Sequence, residues 1–240
     1  MAVNKSFLKY AASYSGIDGG DINAEYWFMG MEWSNIDDIK DHYDEEKNIW
    51  IEQTDFPDEE IDIEEKKEGK DVWKLEKKMD ELYQKLKLKN KVSGKTIFQK
   101  NSNSLKLNLL PLPFVGTNEY DEWTQKKEHK YTQMTGCRYF DEYMREILPV
   151  RYKLFQKLLQ EGKKPKIIFC FGTTYHKEFL FALTGKDDIL KEPTIETQHT
   201  PIYVYDIKNS NIEKIIVCRF PTRYNFDDTD WQTICDLAEK

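Results

Sequence analysis

Three short stretches carry residue types that could act together on one ligand. The first, Glu25-Tyr26-Trp27-Phe28-Met29-Gly30-Met31-Glu32-Trp33-Ser34, reads as an apolar strand that meets a glycine and then offers a carboxylate. Gly30 permits a tight turn or the close approach of a ligand. Glu32 then stands at the rim of a pocket. The second, Leu105-Lys106-Leu107-Asn108-Leu109-Leu110, ends at Pro111-Leu112-Pro113-Phe114. Asn108 offers a donor and an acceptor to the edge of a base, and Phe114 or Trp33 offers a ring for it to stack on. The third, Arg219-Phe220-Pro221-Thr222-Arg223-Tyr224, follows another apolar run. Its arginines suit a phosphate, and Tyr224 is a further candidate for ligand contact. Ligands of open α/β sheets bind outside the carboxyl ends of the strands. Three such ends meeting at one edge would make a pocket for a planar, hydrogen-bonding group such as a nucleobase.

The elements that must position these residues follow from periodicity. A short helix is expected from Lys5 to Ser15, then a glycine-rich turn over Gly16–Gly20. The first strand covers 26–31. Residues 35–65 are acidic, with a helix expected over Asn35–Ile51 and a break at Asp55-Phe56-Pro57-Asp58. Val72, Leu75, Met79, Leu82, Leu86 and Leu88 recur at helical spacing and predict an amphipathic helix over 71–89. Residues 118–135 read as loop. A helix follows over 137–160, where Pro149 is placed to kink or divide it. Lys166-Ile167-Ile168-Phe169-Cys170-Phe171-Gly172 has the pattern of a strand buried on both faces, with Thr173 or Thr174 capping the next helix, to about Leu183. Pro201–Asp206 and Lys214–Arg219, joined through Lys208-Asn209-Ser210-Asn211, predict an antiparallel hairpin, and a last helix spans Asp227–Glu239. The alternation predicts a three-layer α/β/α fold with a largely parallel central sheet. We expect a single domain over 1–240, with 37–65 an acidic insertion or mobile surface segment.

At these positions the chain resembles the uracil-DNA glycosylase superfamily, in element order from about 16 to 239. Gly30-Met31-Glu32 is similar to that family's Gly-x-Asp/Asn-Pro motif, with Trp33 in place of the proline. Asn108 resembles the asparagine that reads the base, and Phe220-Pro221-Thr222 resembles the His-Pro-Ser motif with Phe in place of His. The resemblance implies a parallel-sheet α/β/α domain and an N-glycosylase that hydrolyses the bond to a flipped base in DNA. Glu32 would act on the water. Gly30, Met31, Trp33, Asn108 and Phe114 would hold the base, and Arg219 to Tyr224 the nucleic acid. The departures at Trp33 and Phe220 leave open a member of the same fold that binds nucleic acid or a protein without cutting. A flavodoxin-like nucleotide-binding protein is a third reading.

Other features narrow the classes. His42, His129, His176 and His199 share no metal-ligand spacing, and Gly16–Gly20 is not a dinucleotide fingerprint. Ser34 and Ser104 lack a catalytic-triad context. Gly172-Thr173-Thr174 could bind phosphate at a helix start but reads more simply as the turn the fold requires. No cofactor or metal is expected. Cys137, Cys170, Cys218 and Cys235 form no CxxC pair, and Cys170 and Cys218 lie in apolar runs, so a reduced, cytoplasmic protein fits. No apolar run is long enough to cross a membrane, and Met1–Tyr10 has no signal-peptide pattern. Residues 37–65 hold 14 acids and two lysines, a balance of −12 against a total of −7, which leaves +5 elsewhere. Residues 66–106 hold 13 lysines and five acids. DNA or a nucleotide is therefore a candidate partner despite the acidic total, and 37–65 is a candidate surface for a protein partner. The plainest reading of the two blocks is a pair of solvated surfaces that neutralise each other.

Overall fold

The computed structural model describes residues 3–31, 41–57, 74–90, 97–112, 130–162, 164–189, 194–207 and 211–239. In chain order these form α1 (Lys5–Ala12), β1 (Ile17–Gly20), β2 (Tyr26–Gly30), β3 (Tyr43–Asp44), β4 (Ile49–Trp50), α2 (Lys74–Asn90) and β5 (Ser104–Asn108). They continue with α3 (Lys130–Thr135), α4 (Phe140–Glu161), β6 (Ile167–Phe171), a 3-10 turn (Thr173–Tyr175), α5 (His176–Thr184), β7 (Ile195–Glu196), β8 (Pro201–Asp206), β9 (Lys214–Cys218) and α6 (Asp228–Glu239).

Seven strands form one sheet in the order β1-β5-β2-β6-β9-β8-β7. The middle four, β5, β2, β6 and β9, are parallel, and the pairings at both edges are antiparallel. The chain is thus an α/β protein. Alternation along the strands divides the core into two layers. Trp27, Met29, Leu105, Leu107, Ile168, Cys170, Ile215 and Val217 face α1, α4 and α5. Tyr26, Phe28, Ile167, Phe169, Phe171, Ile216 and Cys218 face α2 and α6. Strand β5 departs from this pattern, since Ser104, Lys106 and Asn108 are polar yet buried on the α2 side.

Several elements differ from the sequence reading. The glycine-rich stretch turns only as far as Gly16, and Ile17–Gly20 form the edge strand β1. A Cβ on Gly20, where φ is +111°, would lie 2.3 Å from the Ser104 carbonyl oxygen, so glycine here lets the two backbones pair. Within Asn35–Ile51, residues 41–51 carry no α-helix. They hold the β3–β4 hairpin, with Asn48 at a positive φ of 54° in its turn. Trp50 is buried against Phe7 and Tyr10 and donates its indole N–H to the Met134 carbonyl at 2.9 Å. Residues 41–57 of the acidic stretch therefore include core side chains, and 58–65 lie outside the described residues. Leu88, expected on the apolar face of α2, is exposed. The loop expected over 118–135 contains α3 at its end, and 118–129 lie outside the described residues. Helix α4 runs unbroken through Pro149, which is exposed, so water can reach the carbonyl that proline leaves unbonded. The second strand stops at Asn108 rather than Leu110 because Leu109 and Leu110 turn to donate to the carbonyls of Gly30 and Met31 at 2.9 and 2.7 Å. All four cysteines are free and buried. No helix among the described residues is long and apolar enough to cross a membrane.

Candidate functional site

The connections decide where a ligand can enter. From β2 the chain moves to β5 on one side. From β6 it moves to the far edge on the other side, at β7, and returns through β8 to β9. The carboxyl ends of β2 and β6 therefore flank a topological switch point, where open α/β sheets leave a crevice. A cleft of about 420 Å³ opens here. Met31, just past β2, forms one wall, and Gly172 to Tyr175, between β6 and α5, form another. Arg219, Phe220, Arg223 and Tyr224, beyond β9, complete it. Gly172 has φ of +140°, and a Cβ there would meet Met31 Cγ at 3.5 Å. Glycine is required by the backbone, and it brings the second wall against the first. A larger recess of about 590 Å³ lies at the opposite edge, beside Lys166, Lys214 and Glu239. It sits at the amino ends of the parallel strands, away from the turns that carry the candidate residues, and we assign it no role in the site.

The arginine wall is built by a compact turn. The Phe220 carbonyl accepts from the N–H groups of Arg223 and Tyr224 at 3.1 and 3.2 Å, and the Pro221 carbonyl accepts from Phe226 N–H at 3.2 Å. Arg219 is fixed at three points. Its N–H donates to Thr200 Oγ1 at 2.9 Å, its Nη1 approaches the His199 carbonyl at 3.4 Å, and its guanidinium lies 4.7 Å from the centre of the Tyr224 ring. The cleft thus combines a positioned cation, a second exposed arginine, the rings of Tyr175, Phe220 and Tyr224, and the hydroxyls of Thr173 and Thr174.

Asn108 occupies a different environment at the end of β5. It is 3% exposed, and its Nδ2 donates to both carboxylate oxygens of Asp18 at 3.0 and 3.1 Å. A carboxylate accepts only, so this contact fixes which end of the amide is which. Oδ1 is turned toward β2, where a Cβ on Gly30 would stand 3.0 Å from it. Asp18 also accepts from Lys106 Nζ at 2.6 Å, and Lys106 reaches Glu76 of α2 at 2.6 Å. Burial alone would lower the Lys106 pKa, but the two carboxylates outweigh it and hold the ammonium above its ordinary value. Beneath the same corner Arg151 is fully buried and donates to the carbonyls of Ala11, Ser15, Asn108 and Leu109 at 3.2, 2.7, 2.7 and 2.9 Å. Burial pushes its pKa down to about 10, which still leaves it charged at neutral pH.

Of the residues singled out from sequence, Met31, Arg219, Phe220, Arg223 and Tyr224 converge on the cleft. Gly30 lies one residue behind Met31. Pro221 and Thr222 belong to the turn that carries the arginines, without lining the cleft. Asn108 lies at the adjacent strand end, with its amide N–H held by Asp18. Glu32, Trp33 and Phe114 lie outside the described residues. Thr173 and Thr174, read from sequence as a turn whose threonine caps the next helix, form a 3-10 turn with no side-chain cap bond, since Tyr175 holds the cap position of α5, and with Tyr175 they make a cleft wall. Asp18, Lys106, Glu76 and Arg151 were not singled out, and the one sequence signal for them was the S-L-K-L-N alternation of β5, which places a lysine in a buried strand. No protein-family model and no curated protein matches the chain, so what the cleft does is argued from its geometry and chemistry.

Proposed function

We propose that the chain is a uracil-DNA glycosylase-like protein that takes a flipped base of DNA into the cleft between β2 and β6 and hydrolyses its N-glycosidic bond. The observation that carries the reading is the convergence of Arg219, Arg223, Phe220 and Tyr224 with Met31 at the switch point of a parallel sheet. A volume of about 420 Å³ falls in the range of small-molecule sites, enough for one nucleotide unit. The aromatic side chains give a base a face to stack on, and the guanidinium groups pair with phosphate. Glu32 follows Met31 directly in the chain and supplies the carboxylate. It takes a proton from water as the oxygen bonds to C1′, the C1′–N bond breaks, and its electron pair leaves with the base. Arg219 is the cation available to balance that developing negative charge. The base must leave its stack first, which costs least for a damaged or mispaired nucleotide.

Incubation with uracil- or hypoxanthine-containing oligonucleotides is expected to release free base, and Glu32→Gln to abolish release while preserving binding. Absence of release from any damaged-base substrate at enzyme excess refutes hydrolysis. A second reading, binding without cleavage, is favoured by one observation: Phe220, in the place of the motif histidine, lines the cleft and has no group to stabilise a departing base. Salt-sensitive binding without base release in the same assays identifies that case.

A further inference from the structure

We propose that His199, Asp227 and Asp230 form a divalent-cation site of the Zn²⁺ or Mn²⁺ class where the turn before β8 meets the start of α6. The site is independent of the glycosylase reading. One donor atom from each of these residues lies within 4.8 Å of the others. His199 Nδ1 is 2.7 Å from Asp230 Oδ2 and 3.9 Å from Asp227 Oδ2.

Helix capping explains only half of the carboxylate oxygens. Asp227 Oδ1 accepts from the N–H groups of Thr229 and Asp230 at 2.8 and 3.1 Å, and Asp230 Oδ2 accepts from Asp227 N–H at 2.9 Å. This is the reciprocal arrangement of a capping box. It leaves one oxygen of each acid unused. Asp227 Oδ2 faces His199, and Asp227 is exposed enough to move. Among the described residues Asp230 Oδ1 has no hydrogen-bond partner, and it is buried on a side chain only 1% exposed. The nearby Thr197 hydroxyl helps lower the Asp230 pKa, but donates to the Thr200 carbonyl at 3.0 Å. A desolvated carboxylate oxygen without a donor is costly, and a bound cation is one of the few groups that remove that cost.

The distances suit a small ion. Ligands bound at roughly 2.0–2.2 Å stand about 3–4 Å apart, and the 2.7 and 3.9 Å separations from His199 Nδ1, the shorter of them a hydrogen bond that an ion would replace, lie close to that range. Imidazole nitrogen beside two carboxylates favours Zn²⁺ or Mn²⁺ over Mg²⁺ or Ca²⁺, which prefer oxygen alone. An ion here would pin the turn whose Thr200 hydroxyl and His199 carbonyl hold Arg219. Sequence spacing conceals the site, because it joins an i, i+3 pair of acids to a histidine on another element.

The test is titration of the EDTA-treated full chain with Zn²⁺ or Mn²⁺ alone, followed by calorimetry and thermal melting, with Mg²⁺ for comparison and the visible spectrum of Co²⁺ as a reporter of nitrogen and carboxylate ligation. We expect saturable one-to-one binding, a rise in Tm, and at least a tenfold loss of affinity in Asp227→Asn and in His199→Gln. Asparagine caps a helix as well as aspartate, so Asp227→Asn keeps the fold and decides the matter if His199→Gln does not fold. Two results overturn the proposal. One is the absence of saturable binding, which leaves a capping box and a hydrogen bond only. The other is equal affinity in Asp227→Asn, which places the ion elsewhere, for example on the acidic stretch 37–65.

Discussion

Replacing Arg151 by methionine is expected to destabilise the protein by about 4 kcal/mol, because it opens the corner on which β5 ends. Four backbone carbonyls lose a charged donor at 2.7–3.2 Å. An unsatisfied buried acceptor costs roughly 1–3 kcal/mol, so four set a gross loss of about 4–12 kcal/mol. Two effects offset it. Methionine fills much of the space against Phe155, over which the guanidinium lies at 4.9 Å. The folded state is also relieved of a desolvated cation, worth several kcal/mol. Removing one member of a buried charged network costs about 3–5 kcal/mol on balance, and we place this case in the middle. For a chain of 240 residues that corresponds to a fall in Tm of roughly 10 °C. Urea unfolding followed by far-UV circular dichroism and tryptophan fluorescence measures it, with coincident transitions confirming two-state behaviour. A loss below about 1 kcal/mol at unchanged m-value would refute the reasoning, since it would mean that the carbonyls of Asn108 and Leu109 find other donors at no cost.

Three further outcomes follow from the same geometry. Arg219→Ala with Arg223→Ala should weaken single-stranded DNA binding and flatten its log-affinity against log-salt slope by about 0.7 for each phosphate that is no longer neutralised; anisotropy over a salt series reads this, and an unchanged slope removes the arginines from the interface. Gly20→Ala, which sets a Cβ 2.3 Å from the Ser104 carbonyl at positive φ, should cost about 2 kcal/mol or more in urea unfolding, and a neutral substitution would contradict the β1–β5 pairing. Burial alone would raise the Asp230 pKa, but Thr197, the Asp227 N–H and His199 hold it below its ordinary 3.8. A carboxylate depressed in the folded state adds stability that is present above the unfolded pKa and lost as pH falls through the folded one. Melting curves in EDTA should therefore drop more steeply from pH 5 toward pH 2 in the parent than in Asp230→Asn, and parallel curves would refute the coupling.

Strands β2 and β6 were legible because each is a short apolar run that meets a glycine, Gly30 at the end of β2 and Gly172 after β6. The α2 helix was legible for the same kind of reason: Met79, Leu82 and Leu86 recur at helical spacing, and all three are buried. Strand β1 was not, because Ile17-Asp18-Gly19-Gly20 has no alternation to read. Its glycines answer to the approach of another backbone, which local sequence does not record. The hairpin over 43–50 was masked by its charge, while its determinants, Tyr43 pairing with Trp50 and a left-handed Asn48, are contacts rather than a period. The arginine turn could be named from sequence. The Asp18 clamp on Asn108 could not, because 90 residues separate the two side chains.

The clamp bears on how the cleft and its surroundings divide their tasks. Asp18 and Glu76 contribute two negative charges at the end of β5, and Lys106 and Arg151 contribute two positive ones. The corner is therefore neutral as a whole, and each charge is held by bonds of 2.6–3.2 Å. Such a network specifies one arrangement and resists displacement. It adds no net charge beside the cleft, where Arg219 and Arg223 are the charged lining residues among the described ones. The total charge of −7 does not oppose an anion there, since at physiological ionic strength the screening length is only about 8 Å and exposed acids farther away are largely silent. Lowering the salt lengthens that reach and brings the remote acids into play. A phosphate-bearing ligand should consequently gain less affinity on dilution of salt than two arginines alone would provide, and neutralising acids in 41–57 should restore the missing slope at low salt while leaving affinity at physiological salt unchanged.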